Sequence, residues 1–582
     1  MLNKRLSAAL LLPLALWACT GDSGAALAST PPTPSPSHTA AQTAGVVSAA
    51  DPRAAEAGAQ MLRQGGSATD AAIATMLALT VVEPQSSGIG GGGFMVLGNP
   101  DGTVETLDGR ETAPMAAGPD WFLDRDGKPR PFMEAVMSGL SVGVPGNLRM
   151  VADAHERHGK LAWKALFAPA ITLARDGFVI NERLHEFLVN AKNRAAAQPE
   201  GRALFYDAAG DPLPVGTLVK NPALAATLEK IAREGPDAFY TGDNAVAIAV
   251  ETAAATPHLH GMVTSDIEQY ATRERPAICG TYRSYKICGM GPPSSGATTV
   301  LAILKQLEGF DLHALGKDSP VAWHLFAESQ RLAFADRELY LGDADFVPVP
   351  VKGLVDDAYL ASRGALISPE RTMANVSAGT PPMDGPQLSW ADGDEPEEHG
   401  TSHFVAIDRW GDAVSYTSTI EGSFGSGLMV GGYYLNNELT DFSFSPEKDG
   451  QPVANRVEPG KRPRSSMAPT LVYDRDGRLV LAIGAAGGPT IPVQVAKALI
   501  GWIDWDLSAQ DAIALPMLYS PGDTLFIEPG TALEGMKPAL EAFGHRSIIA
   551  RALPLKANAA ERTATGWTGA ADPRSAGAWV GE

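Results

Sequence analysis

Residues 400–427 read GTSHFVAIDRWGDAVSYTSTIEGSFGSG, and this stretch determines how the rest of the chain can be interpreted. In 401–408 and again in 413–420, larger apolar side chains alternate with smaller or polar ones, which is typical of β-strands. The four residues between them, 409–412, include a glycine and an aspartate, which favour a tight turn. The stretch therefore predicts a β-hairpin.

The predicted hairpin brings two hydroxyl groups together. A turn centred near Trp410 and Gly411 pairs residues whose numbers add up to about 821, which places Thr401 opposite Ile420. Thr419 is then the diagonal neighbour of Thr401, within reach of its side chain directly or through one water. Because threonine is common in strands, the pattern alone also fits an ordinary Thr-rich hairpin.

Downstream of the hairpin, the chain continues with strand and then helix signals. Residues 470–484 predict a second hairpin folded on the turn 474–477. The pair Gly487-Gly488 follows, and an apolar run from about Thr490 predicts a helix.

Upstream, residues 51–83 predict two helices, the first with Asp51 as N-cap and Pro52 at its first position. The second helix is apolar on nearly all sides and is expected to be buried. Residues 88–98 predict a glycine loop that leads into a strand, and a short hairpin follows through Asp101-Gly102.

Between these regions, residues 145–345 are mostly helical in pattern, whereas 375–400 are polar and rich in Pro, Gly and acidic residues. The second segment is expected to be exposed and mobile. Strands with helices on either side in sequence indicate a mixed α/β chain whose sheets are covered by helices.

The N-terminus has the order of an export signal. Lys4 and Arg5 precede the apolar run 6–17, which is too short to span a bilayer as a mature helix. The run ends in a sequence that resembles a bacterial lipobox, with Cys19 as the lipidated residue; simple secretion is the alternative. We therefore expect a signal peptide at 1–18, a flexible tether at 19–43, and a periplasmic or cell-envelope location.

Charge and cysteine content narrow the function classes further. The 582-residue chain has a formal net charge of -20, which argues against nucleic acid as a partner. Apart from Cys19, the cysteines are Cys279 and Cys288, which either form a disulfide in an oxidising compartment or remain two thiols. No zinc-ligand spacing is present, and we expect no metal.

Three short motifs fail the test of context. Gly88-x-Gly90-x-x-Gly93 has the spacing of a dinucleotide fingerprint, but a helix precedes it and a strand follows, the reverse of what that motif requires. Gly139-x-Ser141-x-Gly143 lacks the strand and helix of a nucleophile elbow and is interpreted as a turn. His258-x-His260 lacks the third ligand that a catalytic zinc requires.

Residues 400–427 resemble the start of the small subunit of γ-glutamyltranspeptidases. The resemblance extends downstream through LNNELTDFS (435–443), KRPRSSMAPT (461–470), GAAGG (484–488) and ADPRS (571–575). Upstream it includes QGGSATDAAIA, EPQSSGIGGGGFM, LDGRETAP, GVPG and LARDGFVIN. It therefore runs from about residue 45 to about 580.

The resemblance implies an N-terminal-nucleophile hydrolase that cleaves its own chain between Gly400 and Thr401. Thr401 would then be the nucleophile, with its new amine as base, because a threonine hydroxyl needs an adjacent base to react. Thr419 would orient Thr401, and the backbone N–H groups of Gly487 and Gly488 would form the oxyanion hole. The fragments 44–400 and 401–582 would be large and small subunits of a heterodimer.

The resemblance also assigns substrate-binding roles. Arg110 would clamp the α-carboxylate of a γ-glutamyl group with its planar guanidinium, assisted by Ser465 and Ser466. The α-ammonium would be held by three acidic residues, which are Glu421, Glu438 and Asp441. For His403, two residues after the nucleophile, we expect packing or hydrogen bonding instead of catalysis.

The implied fold is a four-layer α-β-β-α sandwich formed jointly by both fragments. The implied reaction is hydrolysis of glutathione and other γ-glutamyl compounds, or transfer of the γ-glutamyl group to amino acids or peptides, without a cofactor. The alternatives are a glutaryl-cephalosporin acylase of the same superfamily and an inert surface lipoprotein with the same fold. Glu421 and Glu438 stand where some members have Asn and Gln, and the segment between Asp441 and Ser465 is too short for a full lid loop.

Overall fold

The computed structural model describes residues 44–383, residue 391 and residues 400–582. The export segment 1–43 with Cys19, and most of the polar segment predicted to be mobile, lie outside the described residues. The described chain forms one compact unit. None of its helices is long and apolar enough to cross a membrane.

Two large sheets form the centre of the protein. The first has seven strands in the spatial order Ala578–Gly581, Val46–Ala49, Gly400–Ile407, Ala413–Glu421, Gly92–Gly98, Val104–Asp108 and Arg273–Arg275. The second has six strands in the order Gly566–Ala571, Lys556–Thr563, Leu479–Ala486, Thr470–Tyr473, Tyr285–Gly289 and Ile278–Tyr282. Each sheet combines strands from before and after Gly400, so the two predicted fragments share both sheets.

Smaller strands and the helices complete the described chain. The smaller strands are Phe178–Val179, Leu218–Val219, Met429–Val430, Tyr433–Tyr434, Glu447–Lys448, Gln451–Pro452, Leu518–Tyr519, Thr524–Ile527 and Ser547–Ala550. The α-helices are Pro52–Arg63, Ala68–Val82, Phe132–Val136, Asn147–His158, Trp163–Leu166, Ala168–Asp176, Glu182–Asn190, Lys192–Ala195, Pro199–Phe205, Pro222–Glu234, Asp237–Tyr240, Gly242–Ala254, Thr264–Glu268, Gly296–Gln306, Leu312–Leu315, Pro320–Tyr340, Val351–Leu354, Asp357–Gly364, Ile491–Ile503, Ala509–Ala514 and Ala532–Phe543. Short 3₁₀ helices are Gly139–Ser141, Glu438–Asp441 and Gly488–Thr490.

Alternating side chains of the seven-stranded sheet pack into two different cores. In the strand Gly400–Ile407, Phe404 and Ala406 join the core shared with the helices Pro52–Arg63 and Ala68–Val82. Val405 and Ile407 point the other way, into the core shared with the six-stranded sheet. Period-two alternation thus gives one strand two buried faces.

The outer face of the six-stranded sheet is covered by further helices, chiefly Gly296–Gln306 and Ile491–Ile503. The packing order is therefore helices, seven-stranded sheet, six-stranded sheet, helices. The prediction of a mixed α/β chain with sheets covered by helices is confirmed.

The predicted helix signals upstream are confirmed. Asp51 caps the first helix by accepting a hydrogen bond from the Arg53 backbone N–H, and Pro52 is its first residue. The second helix, Ala68–Val82, is buried along its whole length and begins with a capping box formed by Ser67 and Asp70.

The long hairpin forms as predicted, but its register differs by one residue. Ala413 pairs with Ile407 and Ser418 with Ser402, so the numbers add up to 820 instead of about 821. The loop is built on Asp408, whose carboxylate accepts hydrogen bonds from the backbone N–H groups of Trp410 at 2.9 Å and Asp412 at 3.1 Å. Beyond the Ser418–Ser402 pair the strand Ala413–Glu421 has one extra residue, so Thr419 and Ile420 both lie opposite Thr401.

An irregularity follows this pair, because the next pairing joins Glu421 to Gly400. Glu421 has a φ of 71°, a left-handed conformation that is uncommon for a residue with a side chain. This bulge turns the end of the strand and, as bulges often do, aims a side chain beside a cavity.

Three weaker sequence signals also have clear outcomes. The glycine loop lies between a helix and a strand, and a Cβ at Gly90 would lie 2.1 Å from the Tyr434 carbonyl oxygen, so its glycines allow close packing. Ser141 is in a 3₁₀ turn and donates to the Val136 carbonyl at 2.7 Å. Cys279 and Cys288 form a disulfide across the hairpin of the second sheet.

Candidate active site

A narrow cavity opens where the long hairpin ends beside the six-stranded sheet. Its lining combines hydroxyl groups, three carboxylates, three arginines and a glycine. The lining residues are Arg110, Arg337, Thr401, Thr419, Glu421, Glu438, Asp441, Arg464, Ser465, Ser466, Met467, Gly488, Pro489 and Ile491. The structure therefore brings together all the predicted catalytic and substrate-binding residues except Gly487, which, like Gly400 of the predicted cleavage site, adjoins a lining residue in the chain.

The threonine pair is arranged around the Gly400 carbonyl. The Thr401 hydroxyl lies 3.2 Å from the Thr419 hydroxyl, and the Thr419 hydroxyl donates to the Gly400 carbonyl oxygen at 2.7 Å. The Thr401 hydroxyl also contacts that same oxygen. Each hydroxyl has a single proton, so while Thr419 donates to the carbonyl, its oxygen can accept the Thr401 proton. The result is a short proton chain that ends on the carbonyl of the predicted cleavage bond.

Thr419 is itself held in place by the bulge. Its hydroxyl oxygen accepts a hydrogen bond from the Glu421 backbone N–H at 2.8 Å. Thr401 and Thr419 are both nearly fully buried. The orientation of the Thr419 proton toward Gly400 is therefore fixed by local backbone structure.

Glycine at position 400 is a packing requirement. A Cβ there would lie 2.3 Å from the Glu421 carbonyl oxygen and 2.9 Å from the carbonyl carbon of Gly422. Both obstacles are backbone atoms, which cannot rotate away as a side chain could. A larger residue at 400 would push the predicted cleavage bond away from the two hydroxyls.

The glycine pair follows the strand Leu479–Ala486 and begins a one-turn helix. Gly487 has a φ of 130°, and a Cβ there would lie 2.1 Å from the Pro554 carbonyl oxygen, so both conformation and space require glycine. Gly488 starts the 3₁₀ helix, where N–H groups precede the first intrahelical hydrogen bond. Of the pair, Gly488 lines the cavity.

Arg110 follows directly after the strand Val104–Asp108 and is almost completely buried. Its Nε donates to the Pro463 carbonyl at 3.2 Å and one Nη donates to the Arg464 carbonyl at 2.9 Å. The guanidinium also forms ion pairs with Glu438 and Asp441. The predicted carboxylate clamp and two of the predicted ammonium-binding acids are thus paired with each other, because a buried guanidinium requires compensating charge.

The three acidic residues converge at one point. One carboxylate oxygen from each of Glu421, Glu438 and Asp441 lies within 4.8 Å of the others. Glu438 is fully buried, and its Oε2 has no hydrogen-bond partner among the described residues. Its backbone N–H donates to the side chain of Asn436, whose amide donates to the Gly90 carbonyl. The glycine loop therefore helps to position this carboxylate.

The serine pair follows the two carbonyls that bind Arg110 and is connected to an arginine that the sequence patterns did not indicate. Ser466 accepts a hydrogen bond from Arg337 at 2.8 Å, and Arg337 also donates to Ser295 at 3.0 Å. The Ser465 hydroxyl accepts from the Met467 backbone N–H at 3.1 Å. Arg337 is in the last turn of a long helix whose local sequence gave no sign of a nearby cavity.

A buried ion pair that the sequence patterns did not indicate contacts the backbone of Thr401. Lys556 and Glu83, both buried, meet at 2.7 Å, and the Lys556 ammonium also donates to the Thr401 carbonyl at 2.9 Å. Nothing in the sequence marks either residue, because they are 473 positions apart.

Glu111, next to Arg110, has an unusual environment. It is fully buried, and neither of its carboxylate oxygens has a hydrogen-bond partner among the described residues. Burial is the main cause that raises its pKa to about 8, although Arg110 opposes this shift. Glu111 is therefore protonated at neutral pH and does not compensate the charge of Arg110.

The histidines lie outside the predicted chemistry. His403 packs against Gly484 between the two sheets and bonds Thr417 at 2.8 Å, and burial lowers its pKa to about 3. His258 contacts the Trp121 carbonyl. His324 and His545 approach Glu328, but that carboxylate already accepts bonds from Arg331, Thr372 and the Met373 N–H. These contacts are structural hydrogen bonds.

Comparison with known proteins identifies the family of this chain. A family model described as gamma-glutamyltranspeptidase matches residues 54–581. The glutathione hydrolase proenzyme of Bacillus subtilis (strain 168) is 37% identical over 513 residues, covering 86% of this chain and 85% of that protein. The acylase ACY 1 proenzyme of Pseudomonas sp. (strain V22) is 36% identical over 515 residues, 87% of each chain. A solved cephalosporin acylase from Bacillus halodurans matches with a TM-score of 0.81 and 25% identity, covering 95% of this chain and 98% of that one.

Proposed function

This chain belongs to the γ-glutamyltranspeptidase family, and from that membership we propose that it hydrolyses glutathione and other γ-glutamyl compounds and transfers the γ-glutamyl group to amino acids or peptides. We further propose that it becomes active by cutting its own chain between Gly400 and Thr401. The fragments 44–400 and 401–582 then remain together as large and small subunits. Their interleaved strands support this, since neither fragment could form either sheet alone.

Self-cleavage begins with attack of the Thr401 hydroxyl on the carbonyl carbon of Gly400. Thr419 polarises that carbonyl with its 2.7 Å hydrogen bond and, as it takes up the proton that Thr401 gives up, passes its own proton to the carbonyl oxygen. The C–N bond between the two residues breaks as the C–O bond forms, and the proton passes to the departing nitrogen. Water then hydrolyses the ester, leaving a carboxylate on Gly400 and a free amine and hydroxyl on Thr401.

In each later turnover, the freed amine acts as base for the hydroxyl of the same residue. The Thr401 oxygen attacks the γ-amide carbonyl carbon of the substrate. The N-terminal amine of Thr401 takes the hydroxyl proton and delivers it to the nitrogen of the substrate's leaving group. Backbone N–H groups of Gly487 and Gly488 stabilise the negative oxygen of the tetrahedral intermediate. Water or an acceptor amine then takes the γ-glutamyl group from Thr401.

Substrate binding requires a rearrangement of the Arg110 ion pairs. The guanidinium has five N–H donors, of which four are used by Pro463, Arg464, Glu438 and Asp441. A bidentate carboxylate needs two donors, so one acidic partner must yield. Asp441 is the one we expect to yield, since its side chain is 23% exposed, whereas that of Glu438 is fully buried.

The acidic residues favour a substrate with an α-ammonium group. Once the substrate carboxylate engages Arg110, the buried Glu438 Oε2 is available to accept from the ammonium, and Glu421 and Asp441 lie close by. A zwitterionic amino acid end therefore matches the charges of the cavity. Charge-assisted bonds of this kind are the stronger ones in proteins.

The observation that carries the proposal is the hydrogen-bonded chain from Thr401 through Thr419 to the Gly400 carbonyl. The test compares purified wild type with Thr401→Ala and Thr401→Ser by denaturing electrophoresis and by release of p-nitroaniline from γ-glutamyl-p-nitroanilide, with and without a dipeptide acceptor. Wild type and the serine variant should be cut and active, and the alanine variant uncut and inactive. Normal cleavage of the bond after Gly400 in Thr401→Ala would show that Thr401 is not the nucleophile.

A glutaryl acylase is the second candidate function, because a relative of nearly equal identity is named an acylase. A glutaryl group lacks the α-ammonium, so it brings no positive charge to the three carboxylates that converge in the cavity. We therefore expect γ-glutamyl-p-nitroanilide to be cleaved at least tenfold faster than glutaryl-p-nitroanilide, an energy difference of about 1.4 kcal/mol or more. Equal rates on both substrates would favour the acylase.

We also propose export and anchoring through a lipid on Cys19, based on the N-terminal residues alone. Labelled fatty acid should enter wild type and not Cys19→Ser during growth. Equal labelling of both would exclude the lipid anchor, whereas labelling of neither, with protein in the medium, would favour simple secretion.

A further inference from the structure

The ammonium of Lys556 is buried at the start of the strand Lys556–Thr563, with its residue only 2% exposed. Its Nζ donates to Glu83 at 2.7 Å, to the Thr401 carbonyl oxygen at 2.9 Å and to the Ser402 hydroxyl at 3.2 Å. These three bonds use all three ammonium protons. Ser402 closes the group by donating to the same Glu83 oxygen at 2.6 Å.

The buried Lys556–Glu83 pair links the start of a strand to the end of the helix Ala68–Val82, and such a pair contributes little to stability for the free energy it costs. Taking both charges out of water costs several kcal/mol, and apolar side chains of similar size often stabilise a fold equally well. The pair nevertheless holds the backbone of the residue predicted to be the nucleophile. Its location, not its contribution to folding, is therefore the feature that needs an explanation.

We propose that Lys556, together with Glu83 and Ser402, is a positioning group for Thr401, and that its charge keeps the freed Thr401 amine unprotonated and able to act as a base. This inference rests on the proposed function, in which Thr401 is the nucleophile. The hydrogen bond to the Thr401 carbonyl restrains the backbone on one side of the hydroxyl, while Thr419 restrains the hydroxyl itself.

The electrostatic effect follows from distance. Nζ lies 2.9 Å from the Thr401 carbonyl oxygen. The nitrogen of Thr401 is three covalent bonds from that oxygen, so the two nitrogens lie within about 7 Å of each other. At an effective dielectric of about 20, two like charges at this separation shift a pKa by about one unit or more. The lysine charge therefore disfavours protonation of the amine, and the Glu83 charge favours it.

Other charged groups face this cluster from the elements around it. Arg183, on the helix Glu182–Asn190, lies 3.8 Å from Glu83, and Asp51 acts on Lys556 from the first helix. Burial is the largest cause that lowers the pKa of Lys556 to about 8, and Glu83 opposes this shift. Lys556 therefore still carries its charge at neutral pH.

On the cavity side, Thr401 shares the lining with further charged residues, which are Glu421, Glu438, Asp441, Arg110, Arg337 and Arg464. His403, next but one in the strand, stays neutral because burial lowers its pKa. These groups are unchanged in Lys556→Met and Glu83→Gln, so they cannot make the acid limbs of the two variants move in opposite directions.

The test is the acid limb of kcat/KM for γ-glutamyl-p-nitroanilide, which reports protonation of the amine in the free enzyme. In Lys556→Met the limb should move up by about one pH unit, and in Glu83→Gln it should move down. Lys556→Met should also lose about 100-fold in kcat with little change in KM, since the substrate-binding residues are untouched. Lys556→Arg, which keeps the charge, should retain the wild-type limb.

Lys497→Met is the matched control. Lys497 is also a buried lysine, but its ammonium donates to the carbonyls of Ile513 and Leu515. Its replacement should leave the acid limb where wild type has it. A shift equal to that of Lys556→Met would attribute the effect to loss of any buried charge and would overturn the inference.

N-terminal sequencing of the small fragment separates failure of this inference from failure of the proposed function. If the small fragments begin at Thr401 but the acid limbs of Lys556→Met and Glu83→Gln coincide with that of wild type, only the positioning role of Lys556 is overturned. A wild-type fragment that begins elsewhere overturns the proposed function and this inference with it. If Lys556→Met remains uncut, Glu83→Gln decides, with a downward shift supporting the inference and no shift overturning it.

Discussion

Replacement of Arg110 by lysine tests the substrate clamp separately from self-cleavage. The arginine donates to two carbonyls and two carboxylates at once, and a lysine ammonium at the end of a flexible chain cannot reproduce that planar geometry. The variant should lose at least one charge-assisted bond to the substrate carboxylate, which contributes about 2 kcal/mol. That loss corresponds to a rise in KM of about 30-fold.

Self-cleavage should be preserved in Arg110→Lys, because Arg110 forms none of the hydrogen bonds that join Gly400, Thr401 and Thr419. The assay is the initial rate of p-nitroaniline release across a range of γ-glutamyl-p-nitroanilide concentrations, with gel analysis of the same samples. A cut enzyme with an unchanged KM would refute the role of Arg110 as the clamp. An uncut chain would show instead that Arg110 is needed to build the cleavage site.

Three further perturbations follow from the structure. Thr419→Val removes the hydrogen bond that polarises the Gly400 carbonyl and should slow self-cleavage by about 100-fold, measured as precursor remaining over time on denaturing gels. Glu111 has a folded pKa raised from 4.5 to about 8, so the stability it provides at low pH is lost as pH rises through that interval. Between about pH 5 and pH 8, the Tm of Glu111→Gln should therefore fall less than that of wild type, and the difference in the free energy of unfolding should be a few kcal/mol. Curves of Tm against pH that run parallel for the two proteins would contradict this. Replacing Cys279 and Cys288 by serine opens a loop of sequence separation 9 and should lower the free energy of unfolding by about 2–3 kcal/mol in urea titrations, while activity is retained.

Local patterns were sufficient to predict the elements around the site. The long hairpin, the glycine loop before a strand and the helix after Gly488 all depend on neighbouring residues, and the structure has each of them. The approach of Thr401 to Thr419 was also predictable, because it requires only a turn position and strand pairing. From Ser402 to Ile407 the register differs by one residue from the prediction because the side chain of Asp408 organises the loop, and the bulge then restores the predicted sum of 821 at Gly400.

Contacts between distant parts of the chain were not predictable from pattern. Arg110 was expected to await a substrate carboxylate, whereas it is paired with Glu438 and Asp441 in the absence of substrate. Lys556 and Glu83 carried no signal at all, since a lysine at the start of a strand is normally exposed. Whether Cys279 and Cys288 pair depended on a cross-strand distance that the sequence leaves open.

The most direct test of the whole account is N-terminal sequencing of the fragments in catalytically active, purified protein. We expect the smaller fragment to begin Thr-Ser-His-Phe, at Thr401, and its yield to rise in step with γ-glutamyl-p-nitroanilide activity as the precursor disappears. Full activity in material whose Gly400–Thr401 bond is intact, or whose small fragment begins at another residue, would contradict the account.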